Sequence, residues 1–85
     1  MDYILKGGSM EDKEITFQIV KRVGALGPAS GKGWTKELNL VSWNGREAKL
    51  DIREWSPDHQ KMGRGVTLSR EEGEALARLL GHASA

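Results

Sequence analysis

Two runs of alternating side chains, Trp34 to Trp43 and Lys49 to Trp55, flank the dipeptide Asn44-Gly45. Both turn residues tolerate positive φ, as a type I′ hairpin demands, so this stretch commits the chain to an antiparallel strand pair. Strand side chains alternate with a period of two, and the register therefore sorts them onto two faces. Leu38, Leu40, Leu50 and Ile52 share one face and are expected to point into the core. Thr35, Glu37, Asn39, Val41 and Trp43 share the other with Lys49, Asp51, Arg53 and Trp55. That second face is expected to be exposed, with Thr67 added from a later strand. Indole rings interleaved with cationic side chains suit the flat faces of unpaired bases and the phosphates between them.

The flanking segments complete an α+β pattern. From Glu14, Ile15, Phe17 and Ile19 alternate with Thr16, Gln18 and Val20, which predicts a half-buried strand. Gly24 to Gly33 holds four glycines, a proline and a serine and reads as a flexible loop. Ser56-Pro57-Asp58 ends the third strand, and Gly65 to Leu68 makes a short fourth. Ser69 with Glu72 three residues on forms a capping box, and the helix it opens should run to about Leu80 and stop at Gly81. The helical apolar positions Gly73, Ala75, Leu76, Ala77, Leu79 and Leu80 spread over roughly 200° at about 100° per residue, wider than one sheet requires. Part of the arc can cover the sheet. Leu76, Leu79 and Leu80 are then expected to meet a second copy of the chain.

Length allows one domain, expected over residues 14–81. Residues 1–13, with the linker-like Gly7-Gly8-Ser9 and an alternative start at Met10, read as a leader or tag-like tail, and residues 82–85 as a frayed C-terminus. With no cysteine, disulfides, thiolate metal sites and a cysteine nucleophile are excluded. No apolar run resembles a signal h-region or a membrane span, so the expected compartment is the cytoplasm, nucleoid association included. Net charge is only +1, but residues 21–64 hold nine basic groups against five acids, and this segment carries all three tryptophans.

The ordered set Val41-Ser42-Trp43, Asn44-Gly45, Asp51-Ile52-Arg53-Glu54-Trp55 and Gly63-Arg64-Gly65-Val66-Thr67-Leu68 resembles the single-stranded-DNA-binding transcriptional coactivator family known as positive cofactor four. Lys32 to Asn39 and Trp55 to His59 add similarity to its bacterial YdbC-like branch. The resemblance runs from about Ile15 to Leu80. It implies a curved four-stranded antiparallel sheet followed by one helix, a dimer packed through the helices, and single strands crossing the sheets. By position it implies a stacking aromatic at Trp43 and basic contacts at Arg46 and Arg64. Asn44 stands where eukaryotic members carry lysine, and Ser56 where they carry a second aromatic. The return from Gly45 to Asp51 also looks one residue longer, as a bulge would make it.

Other chemistry fails on inspection. Gly27 to Gly33 approaches a phosphate-binding loop but is one residue short and lacks the hydroxyl after the lysine. His59 beside Asp58 has no second ligand in prospect, and no nucleophile elbow or paired-carboxylate arrangement exists. The expectation is therefore a non-enzymatic homodimer that binds single-stranded DNA with little sequence preference, without metal, cofactor, membrane or small-molecule substrate. The candidate nucleic-acid contacts are Lys32, Trp34, Lys36, Trp43, Asn44, Arg46, Lys49, Arg53, Trp55, Lys61 and Arg64. Two alternatives for the ligand stay open, Trp55 could equally pack in the core, and Arg53 has a structural alternative of its own. The ligand could be RNA, since stacking does not sense the sugar. The tryptophan face could dock a protein instead. Arg53, next to acids on its own strand, could be tied to Asp51 or Glu54 rather than to phosphate.

Overall fold

The computed structural model describes residues 15–83. The expected leader over residues 1–13 lies outside that range, as do the last two residues of the expected C-terminal tail. Four strands, β1 (Phe17–Ala25), β2 (Thr35–Trp43), β3 (Lys49–Trp55) and β4 (Met62–Leu68), precede one helix, α1 (Arg70–Ala83). The strands form an antiparallel meander in the order β1-β2-β3-β4. This is the α+β arrangement expected from the sequence.

The central hairpin forms as its residues dictate. Asn44 and Gly45 take φ of 52° and 75°, and the Arg46 N–H donates to the Trp43 carbonyl at 2.9 Å to close the turn. That turn alone would set Val41 opposite Ala48, yet Val41 pairs with Lys49. One extra residue therefore sits in the return, the bulge that its length suggested. The capping box is also built: the Glu72 N–H donates to Ser69 Oγ at 3.1 Å, and the Ser69 N–H to Glu72 Oε1 at 2.8 Å.

Element bounds differ from expectation in three places. β1 starts later and runs on through Ala25, because bulges between Ile19 and Lys21 and between Arg22 and Gly24 let it keep pairing with β2. β4 begins at Met62 rather than Gly65. The helix continues past Gly81 to Ala83, so His82 is helical rather than frayed; a glycine costs a helix about 1 kcal/mol but need not end it.

The larger correction concerns which face is buried. The register keeps the expected split, but the deepest burial lies on the face expected to be exposed. Val41, Trp55, Asn39 and Asp51 have no solvent exposure, while Leu38, Leu40, Leu50 and Ile52 are only half-buried. The cause is curvature. Phe17 pairs with Trp43 and Trp55 with Thr35, positions separated along a straight β2 by about 26 Å. Even so, the Phe17 and Trp55 ring centroids are 5.1 Å apart. Only a sheet rolled toward this face brings them together, and bulges accompany the bend at both ends, two in β1 and one where β3 and β4 shift register between Arg53 and Trp55. Phe17, Ile19, Val41, Trp43, Trp55 and Met62 close into a cluster inside the roll.

The helix lies on the opposite face. Gly73 sits so close to β3 that a Cβ there would come within 2.5 Å of Leu50 Cδ1. Beyond this point α1 covers little: none of its residues is buried, and Leu79 and Leu80 are 62% and 58% exposed. Among the described residues no helix is long and apolar enough to cross a membrane.

Candidate nucleic-acid interface

Inside the rolled face, two polar clusters flank the aromatic rings. In the first, Glu37 accepts from Thr35 Oγ1 at 2.6 Å and Asn39 Nδ2 at 3.0 Å, and His59 Nε2 lies 3.1 and 3.0 Å from its two carboxylate oxygens. Burial alone would raise the Glu37 carboxyl. The hydrogen bonds from Thr35, Asn39 and His59, with the His59 charge, outweigh it and hold the group below its ordinary 4.5. His59 reaches this position because its φ of 59° turns the β3–β4 loop inward, where the ring also stacks on Trp55 at 5.8 Å. In the second cluster, Asp51 receives Arg53 Nε at 2.6 Å, Arg53 Nη2 at 2.8 Å and Thr67 Oγ1 at 2.8 Å. The Arg53 guanidinium then lies over the Trp43 ring, 4.8 Å from its centroid.

Trp43 is the half-buried indole of this face, tilted against the half-buried Phe17 with ring centroids 6.1 Å apart. Lys49 shares the face by register and is exposed, and exposed Arg46 stands at the turn beside Trp43. These three and Arg53 form one neighbourhood. Arg22 lies on the same face further along β2: it pairs with Asn39 across β1 and β2, and it is exposed. Sequence reasoning missed it, since the alternation read from Ile15 to Val20 does not extend to residue 22, which lies ahead of the loop expected over residues 24–33. Bulges that slip the strand register carry no periodic signal.

Other expected contacts lie elsewhere. Trp55 is enclosed, with Phe17 at 5.1 Å and His59 at 5.8 Å, so the expectation of an exposed stacking ring is corrected. Lys36 pairs with Glu54, which puts it on the helix-bearing face. Trp34, half-buried just before β2, packs near Gly63 and Glu54. Asn44 Oδ1 is turned back to the residue preceding β1, accepting from the Thr16 N–H at 2.9 Å. Lys32, Lys61 and Arg64 are exposed on the β1–β2 loop, the β3–β4 loop and edge strand β4. Among the described residues, Trp43 Nε1, Trp55 Nε1 and Asn39 Oδ1 are buried without a hydrogen-bond partner. No group of three or more His, Asp or Glu side chains there is placed to hold a metal.

Comparison with known proteins agrees with this architecture. The chain is similar to an uncharacterized protein of Treponema pallidum (strain Nichols), 48% identical over 75 residues, which cover 88% of this chain and 87% of that protein. The family model described as transcriptional coactivator p15 (PC4) matches residues 30–79, a span that takes in β2, the Asn44-Gly45 turn, β3, β4 and most of α1. With its meander of four strands and a capped C-terminal helix, the chain belongs to the transcriptional coactivator p15 (PC4) family.

Proposed function

We propose that this chain is a homodimeric single-stranded-DNA-binding protein of low sequence preference, acting where a strand is exposed in transcription, replication or repair. The observation that carries the reading is the rolled face. It offers one half-buried indole, Trp43, with Arg46 at the adjoining turn, Lys49 on the neighbouring strand and Arg22 further along the same face, all three exposed. A base stacks on the ring while the cations meet the adjoining phosphates, an arrangement indifferent to base identity. Lys32, Lys61 and Arg64 extend the cationic path along the loops and the sheet edge. Lys36, Asn44 and Trp34 are peripheral to it.

The opposite face supports the dimer reading. Leu38, Leu40, Leu50 and Ile52 are half-covered, Val66 is 49% exposed, and Leu79 and Leu80 project from the helix. A second copy covers these together, helix against helix, where a lone chain leaves an apolar patch. Titration of tryptophan fluorescence with oligo(dT), oligo(rU) and duplex DNA, alongside sedimentation, tests both halves. Binding to oligo(dT) above duplex by a species twice the 9.4 kDa chain mass is expected. Preference for oligo(rU) makes the ligand RNA, and no response to any of the three favours a protein partner for the same face.

A further inference from the structure

We propose that Arg53 is a positioning residue of this face: held by Asp51, its guanidinium fixes the Trp43 ring for a stacked base and makes no phosphate contact itself. This rests on the nucleic-acid reading above. Both Asp51 oxygens are committed to Arg53, through Nε at 2.6 Å and Nη2 at 2.8 Å, and the carboxylate has no solvent exposure. The Thr67 hydroxyl fixes the same carboxylate from β4. On its third nitrogen, Arg53 Nη1 faces Met62 Sδ at 3.8 Å and the Gly63 carbonyl at 3.4 Å. Every nitrogen of the guanidinium is therefore engaged within the protein.

The charge balance points the same way. An arginine neutralised by a buried carboxylate contributes little long-range attraction for a phosphate, and pulling it away would strand the Asp51 charge. Its Cζ, however, lies over the Trp43 ring, 4.8 Å from the centroid, where a cation supports an indole. Gly65, opposite Arg53, lets β4 close on this strand: a Cβ at 65 would collide with Arg53 Cβ and the Ile52 carbonyl oxygen. The result is a carboxylate-held cation over the indole on which the base is to stack.

Arg53→Lys tests this, because it keeps the charge and a bond to Asp51 while losing the planar fork. Expected is a loss of oligo(dT) affinity of about five- to tenfold, part of what a stacked base is worth, with an unchanged salt slope. In a Trp43→Ala background the same substitution should cost less than about twofold, because the two side chains act as one unit. Retention of parental affinity by Arg53→Lys, or an undiminished loss in the Trp43→Ala background, overturns the proposal. The pair variant Asp51→Asn/Arg53→Gln, which leaves no stranded charge, supplies a second arm. A direct phosphate contact predicts that its salt slope falls by about 0.7, whereas positioning predicts lower affinity at the parental slope. A parent that fails to bind oligo(dT) refutes the interface instead. The Arg53–Trp43 coupling is then read in the free protein. Arg53→Lys should alter the near-ultraviolet circular dichroism of the parent and leave that of Trp43→Phe unchanged; an unaltered parent spectrum overturns the coupling.

Discussion

Truncation of Trp43 separates a binding ring from a folding ring, and the structure sets the size of both effects. Removing a fully buried tryptophan costs about 3–5 kcal/mol. Trp43 is half-buried, with Phe17 at 6.1 Å and Arg53 at 4.8 Å as its ring neighbours, so Trp43→Ala should cost about 2 kcal/mol of folding free energy. For a domain of this size that lowers Tm by about 8–16 °C and leaves a folded protein at room temperature. Binding loses the stacked base, about 1–3 kcal/mol, which is a five- to 150-fold weakening on oligo(dT). Trp55→Ala is the matched control. Its ring has no exposure and is covered by Phe17 and His59, so the full folding cost applies, a large share of the roughly 5–15 kcal/mol available to a small domain. The assay pairs thermal melts with fluorescence-anisotropy titrations of labelled oligo(dT). A Trp43→Ala protein that binds like the parent, or one that melts as low as Trp55→Ala, refutes the assignment.

Three further outcomes follow from particular contacts. Gly65→Ala should lower Tm by about 4–24 °C, because overpacking against Arg53 and Ile52 costs about 1–3 kcal/mol; Gly24→Ala, where an added Cβ meets nothing within 4 Å, should leave Tm near the parent's, and equal melts for the two contradict the close β3–β4 approach. The Glu37 carboxylate, held below its ordinary 4.5, contributes stability that is present above the unfolded value and lost as pH falls through the folded one. Melting of Glu37→Gln should thus lie below the parent's at neutral pH, the gap closing below the ordinary carboxylate value; a pH-independent gap removes the ionised carboxylate from the account. Arg22→Ala should leave melting unchanged and reduce the salt slope on oligo(dT) by about 0.7, and an unaltered slope takes Arg22 off the phosphate path.

The sequence made local chemistry legible and left curvature hidden. Asn44-Gly45 needs only two positive φ values, and Ser69 with Glu72 needs only one turn of helix, so both motifs appear where the residues specify them. The bounds of β3 and the facial grouping of Trp43, Lys49 and Arg53 follow from a period of two. Depth of burial does not. Whether Val41 and Trp55 meet solvent depends on how far the sheet rolls, and the roll goes with bulges in β1 and a register shift beside Trp55 that have no distinct sequence signature. The same bulges concealed Arg22. The Glu37–His59 contact joins residues 22 positions apart through one left-handed residue, which alternation cannot anticipate.

The rolled sheet also dictates an order of events in folding. Each strand pairs only with its neighbours in sequence, so three hairpins can zip locally on the microsecond scale. The Phe17–Trp55 contact spans much of the chain and bears the loop-closure entropy that the hairpins avoid. A flat meander should therefore form first and curl last. In stopped-flow refolding, the far-ultraviolet signal of the strands should precede the blue shift of the Trp55 indole as it leaves water. Simultaneous arrival of the two signals would mean that the curl is imposed from the start by the β1 bulges, and that the hairpins have no flat precursor.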